Sequence, residues 1–149
     1  MKIKEELYNQ CQDFVNKRLQ TVQNTITSNQ KALTSETKSS AGDKHETGRA
    51  MLQLEMEKAG QQLSGVSLMK ETLAKIDISK TSKIASLGSL IITEKANYFL
   101  SISAGKLKAE AEIYFAISVS SPIGKALLGK GINEELVFNG EKIMIKEVF

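Results

Sequence analysis

Asp43 and Glu46 stand three residues apart in the stretch Ser39-Ser40-Ala41-Gly42-Asp43-Lys44-His45-Glu46-Thr47-Gly48-Arg49. Two carboxylates at that spacing share one face of a helix. Their first chemistry is local: Asp43 is a good N-cap and Glu46, at the N3 position, completes a capping box that satisfies the free amides of a helix start. A capping carboxylate keeps spare lone pairs, so the pair stays open to a further ligand. His45 has no second His or Cys nearby to complete a transition-metal set, and it reads as a solvated loop residue. Cys11, the one cysteine, excludes an internal disulfide and falls on an apolar helical stripe, as a small packed hydrophobe.

The elements on either side explain how such a pair would be held. From Lys2 to about Thr37 the residues Tyr8, Cys11, Val15, Leu19, Val22, Ile26 and Leu33 recur at spacings of three and four, broken once by Asn29. After the polar stretch, Leu52, Met56, Ala59, Leu63, Val66, Met69, Leu73 and Ile76 repeat the period. The other faces are too polar for burial in a globule, so each stripe wants one partner helix. Two arms of about 35 residues joined by a short turn predict an antiparallel coiled-coil hairpin roughly 50 Å long, with residues 39–49 at its tip. Gly60 and Gly65 weaken the second arm by about 1 kcal/mol each and mark a bend or a close approach of the arms.

Past Ile76-Asp77-Ile78-Ser79-Lys80-Thr81-Ser82 the helical period stops and a period of two replaces it. Leu90 to Thr93, Tyr98 to Ser103 and Glu112 to Ser120 read as strands. In the last of these, Ile113, Phe115, Ile117 and Val119 share one face, and Glu112, Tyr114, Ala116 and Ser118 share the other, the pattern of a strand half buried on a core. Ser121-Pro122 starts a short helix, with serine as cap and proline at the first helical position, and Gly129 or Gly131 ends it. Glu134 to Phe138 and Glu141 to Phe149 form a hairpin about Asn139-Gly140. The fold class is α+β: a hairpin over residues 1–77, a linker over 78–83, and a small antiparallel sheet with one short helix over 84–149.

Charge narrows the partners. The net charge of +3 is spread as eleven basic and ten acidic residues through Asp77 and nine against seven after it. Neither half has the basic excess of an autonomous duplex-DNA binder. Lys17, Arg18 and Lys31 read first as a solvated coiled-coil face, with contact to RNA or to acidic channel walls as the alternative. The N-terminus lacks an apolar run of signal-peptide type, and no segment approaches the ~20 apolar residues that span a bilayer, so a cytoplasmic protein with no membrane partner is expected.

The segment Ile117-Ser118-Val119-Ser120-Ser121-Pro122-Ile123-Gly124-Lys125-Ala126-Leu127-Leu128-Gly129-Lys130 resembles the Ser-Pro-helix signature of the bacterial Gre transcript cleavage factors. Ile76-Asp77-Ile78-Ser79-Lys80, Lys83-Ile84 and Gly88-Ser89-Leu90 are similar to that family's passage into its C-terminal module, and Gly42-Asp43-x-x-Glu46 matches the family's tip. The resemblance implies an FKBP-like C-terminal module that docks on RNA polymerase through Ser120, Ser121, Pro122, Ile123 and Lys125. It also implies a coiled coil that enters the polymerase's secondary channel. There Asp43 and Glu46 would assist catalysis, sharing a Mg²⁺ ion and an attacking water with the polymerase while it cleaves the 3′ end of backtracked RNA. Hard carboxylate oxygens suit that ion. On this expectation the chain is a monomer, holds no tight cofactor, is no enzyme by itself, and meets nascent RNA only indirectly. The tip departs from the family at Lys44, His45, Thr47, Gly48 and Arg49, and Lys44 and Arg49 offset the carboxylate charge.

Three rival expectations follow from the same residues. The altered tip suits a channel-occupying regulator that does not stimulate cleavage. An FKBP-like fold alone suits an isomerase or chaperone module, although the chain has no Trp and 5% aromatic residues to line such a pocket. The helical stripes also suit a self-associating structural coiled coil.

Overall fold

Residues spaced by seven are the frame of the first two elements, helix α1 (Lys2–Lys38) and helix α2 (Gly42–Ala74). The computed structural model describes the backbone of residues 1–38 and 42–149 and the side chains of residues 1–35 and 47–149. Six strands and one short helix follow: β1 (Leu90–Thr93), β2 (Asn97–Ser101), β3 (Gly105–Ala109), β4 (Glu112–Ser118), α3 (Pro122–Leu127), β5 (Glu135–Phe138) and β6 (Glu141–Val148). The chain divides into two units, Val15–Met69 and a second made of Met1–Phe14 with Lys70–Phe149.

The first unit is a helical hairpin. Val15, Val22 and Asn29 are its buried residues on α1, and Ala59 and Val66 those on α2. Leu19, Ile26 and Leu33 on one helix, and Leu52, Met56, Leu63 and Met69 on the other, are half-buried between them in sequence. The remaining positions are almost all exposed, so each helix buries one narrow seam, as a 3.5-residue repeat requires. The part of α1 from Val15 to Lys38 rises about 36 Å. Gly60 and Gly65 are exposed helical positions at which an added Cβ would meet nothing within 4 Å, so neither marks a close approach.

The second unit is a six-stranded sheet in the order β3-β4-β2-β1-β6-β5 with helices on both faces. Its pairs are antiparallel except β2 and β4, which run parallel with Tyr98 opposite Phe115 and Leu100 opposite Ile117. The expectation of a wholly antiparallel sheet is corrected here: β3 takes the edge beyond β4, so the chain leaving β2 skips one place and returns beside it in the same direction. Two-residue turns close both edge hairpins. Asn139-Gly140 has φ 51° and 77°, as its residue types predict, whereas Glu110-Ala111 has φ 49° and 64° without a glycine.

One face of the sheet carries the cluster Ala85, Ile91, Leu100, Leu127, Leu136, Ile143 and Ile145, with Ile117, Val119 and Ile123 packed against it. The other face presents Leu90, Phe99, Ser101, Tyr114 and Ala116, all buried, on the side where Leu7 and Cys11 of α1 are also buried. Cys11 Sγ lies 3.7 Å from Ser101 Oγ, the Gln10 amide donates to Lys108 O at 2.8 Å, and Tyr8 OH donates to Leu73 O at 3.0 Å. Burial raises the Cys11 thiol pKa and keeps it protonated. The alternation read in β4 is real, but its buried face is corrected in the strand's first half: Tyr114 and Ala116 are buried, while Ile113 is 42% and Phe115 37% exposed. Only the C-terminal end of that face, Ile117 and Val119, reaches the cluster beside α3.

Candidate functional site

The corner between β4 and α3 gathers the five residues expected to meet a partner. Ser121 caps α3 from an extended backbone (φ −69°, ψ 158°), and its Oγ accepts from Gly124 N–H at 3.1 Å while donating to Ser118 O at 2.6 Å. Pro122 occupies the first helical position, where its missing N–H costs nothing. Ser120 N–H donates to Ser118 Oγ at 3.1 Å, and Lys125 N–H donates to Ser121 O at 2.8 Å. A Cβ on Gly124 would stand 2.0 Å from Ser118 O and 2.9 Å from Ser121 Oγ, so residue 124 has to be glycine for the corner to close. The strand end is thus pinned three ways to the helix start.

What the corner shows to solvent differs from what builds it. Ser120, Pro122 and Lys125 are exposed, Ser121 is half-buried in its capping bonds, and Ile123 turns partly into the core cluster. The result is a rigid edge with a hydroxyl, a proline ring and an ammonium outward, held by a serine and a glycine inward. Such a surface suits recognition by another protein, because rigid backbone and few rotamers lower the ordering cost of binding.

Asp43 and Glu46, expected to be the catalytic and metal-assisting pair, have side chains outside the described residues, as do Lys44 and His45. The backbone of α2 begins at Gly42, so Asp43 lies in its first turn and Glu46 just past it; the expected capping box is corrected, because Asp43 is a helical residue rather than the N-cap. Thr47 and Arg49 are exposed, and Gly48 is half-buried. Among the described residues no group of three or more His, Cys, Asp or Glu side chains could hold a metal ion. Lys17, Arg18 and Lys31 are exposed along α1.

Two features of the sheet unit escaped the sequence reading. A shallow groove of 320 Å³ is lined by Thr93, Glu94, Lys95, Asn97, Ile113 and Phe115, with the Tyr98 and Phe115 rings tilted at 6.2 Å. The exposed half of β4 opens onto it, a consequence of the face inversion. Lys4 is the second: it is 2% exposed, and its ammonium donates to Lys80 O at 2.9 Å. A signal existed for it, since Lys4 precedes Cys11 by seven residues and so shares the phase of the apolar stripe. Desolvation pulls the Lys4 pKa below its ordinary value, and the charge of Asp77 opposes that shift.

Scanned against protein-family models and against curated proteins, the chain matches none. Among the described residues no helix is long and apolar enough to cross a membrane.

Proposed function

We propose that the chain is a Gre-like transcription elongation factor, a cytoplasmic monomer that binds RNA polymerase and places its helical tip in the secondary channel. On this reading the sheet unit is of the FKBP-like type and docks through Ser120, Ser121, Pro122, Ile123 and Lys125. The observation that carries it is the β4–α3 corner, where the Ser-Pro-x-Gly-Lys sequence forms one rigid edge with Ser120, Pro122 and Lys125 outward. The hairpin supports it as well, because a pair of helices with one buried seam and polar outer faces suits a narrow, water-filled passage.

The chemistry belongs to the polymerase. This chain would contribute two carboxylates, Asp43 and Glu46, to a Mg²⁺ ion and a water already in reach of the polymerase's own acidic residues. Its part is to hold them on a helical arm rather than a loose loop, so that little ordering is left for the reacting complex. The chain alone hydrolyses nothing.

A second reading keeps the partner and drops the cleavage. Lys44 and Arg49 place two cations beside the two carboxylates in sequence, which weakens recruitment of a dication. One experiment separates the readings: backtracked polymerase complexes in Mg²⁺, with the wild type or Asp43→Asn/Glu46→Gln, followed for polymerase binding and for released 3′ RNA. Cleavage stimulated by the wild type alone supports the tip chemistry. Equal binding without cleavage by either supports the channel-occupying regulator. Absence of binding to core polymerase refutes both.

A further inference from the structure

We propose that the cavity beside Lys4 is a binding site for a phosphate-type oxyanion. The cavity measures 230 Å³, lies within the sheet-bearing unit, and has Lys4, Lys75, Asp77 and Lys80 among its lining residues. None of these residues belongs to the Ser121 corner or to the tip, so the site is independent of the polymerase reading.

Lys4 carries the argument. An ammonium has three N–H donors, and one of them is used, on Lys80 O at 2.9 Å. The side chain is 2% exposed, so the other donors face either protein or the cavity rather than open solvent. A buried cation without a full set of acceptors is costly unless an anion or ordered water completes it. Lys75 and Lys80 also line the cavity, against a single acidic residue, Asp77.

That carboxylate is already engaged. Asp77 Oδ1 accepts from Ser79 N–H at 3.0 Å and from Ser79 Oγ at 2.5 Å, and Lys80 N–H donates to Asp77 O at 3.1 Å. Together these bonds fold the Asp77–Lys80 segment so that its carbonyl meets Lys4. Thr81, Ser82, Ser86 and Ser89 also line it, but Ser82 Oγ donates to Ile84 O at 2.9 Å, Ser89 Oγ accepts from Ser86 N–H at 3.0 Å, and the Ser86 and Ser89 hydroxyls share a bond at 3.4 Å, so Thr81 and one of that pair remain as hydroxyl donors. Lys4 with its spare donors, two further lysines and the remaining hydroxyls around a small cavity match the several oxygens of a tetrahedral anion. No aromatic ring lines it, so a phosphoryl group is the element recognised, and a base would find no stacking surface.

Isothermal titration of the full chain with inorganic phosphate, at fixed ionic strength in chloride, tests the site. The expected result is saturable binding that Lys4→Met abolishes and Lys80→Gln weakens about tenfold, the loss of one charge-assisted hydrogen bond. Asp77→Asn tightens binding, an outcome that a merely structural role for the segment would not give. Lys80→Gln and Lys75→Gln alter exposed side chains, so they decide the matter even if Lys4→Met fails to fold. Adenosine 5′-monophosphate and adenosine form the second arm. Monophosphate tighter than phosphate, with adenosine inert, identifies an organic phosphate; equal affinity identifies the free anion. Heat that does not saturate, or phosphate affinity equal in wild type, Lys80→Gln and Lys75→Gln, overturns the proposal.

Discussion

Replacing Asn29 by valine should stabilise the helical hairpin, and the size of the gain follows from three features of the site. Asn29 is 7% exposed, and its Nδ2 is the buried side-chain nitrogen that lacks any hydrogen-bond partner among the described residues. An unpaired buried amide costs about 1–3 kcal/mol. Val15 and Val22 precede it at intervals of seven and are buried at 1% and 6% exposure, so valine extends an existing seam rather than starting a new one. Its added apolar burial contributes roughly 1 kcal/mol more, while asparagine and valine have nearly equal helix propensities. The net expectation for Asn29→Val is a gain of about 2–4 kcal/mol. For a chain of this length that raises the melting midpoint by roughly 4–16 °C, read by far-ultraviolet circular dichroism with a urea titration beside it. A midpoint that stays the same or falls refutes the reasoning, because the amide would then be satisfied in solution. Sedimentation supplies the counterpart: a lone polar residue in a coiled-coil seam fixes register and partner number. The valine variant should therefore self-associate more readily than the wild type.

Gly124→Ala should destabilise the sheet unit by about 2–4 kcal/mol, from overpacking against the Ser118 carbonyl and loss of the Ser121 cap; Gly60→Ala, which meets nothing, should gain up to about 1 kcal/mol. Paired melting curves check both, and a stable Gly124→Ala protein would sink the account of the corner. The hydrogen bonds from Ser79 depress the Asp77 carboxyl below its ordinary value of 3.8. Its stabilising contribution is therefore present above that ordinary value and lost as pH falls through the lower, folded one. The stability difference between wild type and Ser79→Ala should shrink on acidification below about pH 4, measured by urea unfolding across the acid range. Under the cleavage reading, Lys44→Gln/Arg49→Gln should raise cleavage of backtracked RNA roughly thirtyfold at limiting Mg²⁺, since the two removed cations together relieve about 2 kcal/mol of repulsion on a dication. No change at any Mg²⁺ concentration would instead favour the channel-occupying regulator.

The sequence was most legible where one face of an element is buried against one neighbour. Val15, Val22, Ala59 and Val66 are read directly from their spacing, and the Ser121-Pro122 helix start from the residue types. It was least legible where burial is decided by something distant in the chain. In β4 the larger apolar residues Ile113 and Phe115 lie toward solvent, because α3 is only six residues long and covers just the far end of that face. The smaller Ala116 and the amphipathic Tyr114 go inward, since the face beside α1 has room for them and no sequence pattern announces that helix's approach. Strand β3, Gly-Lys-Leu-Lys-Ala, has one half-buried apolar residue in Leu107 and turns on Glu110-Ala111 at positive φ, so neither its hydrophobicity nor its turn marks it. The parallel pairing of β2 and β4 depends on that hidden strand, and was lost with it. Lys4 is hard to read as buried because lysine is usually exposed, and only the phase of the stripe argues otherwise.

The β4–α3 corner also shows why a sequence signature and a binding surface are separate matters. Ser121 and Gly124 are demanded by the fold: one caps the helix, and the other leaves room for the Ser118 carbonyl. Any chain that makes this corner needs them, whether or not a partner reads it. Changing either would disturb docking and stability together, and the loss could not be assigned. Lys125 differs, since its backbone N–H serves the helix while its side chain is exposed and its ammonium makes no hydrogen bond among the described residues. Its charge lies in the last turn of α3, where it favours the helix end by at most about 1 kcal/mol, so the charge-removing Lys125→Gln should leave the melting curve nearly in place. Under the polymerase reading, weaker binding to polymerase in that variant reports on the interface, and unaltered binding removes Lys125 from it while leaving the fold argument intact.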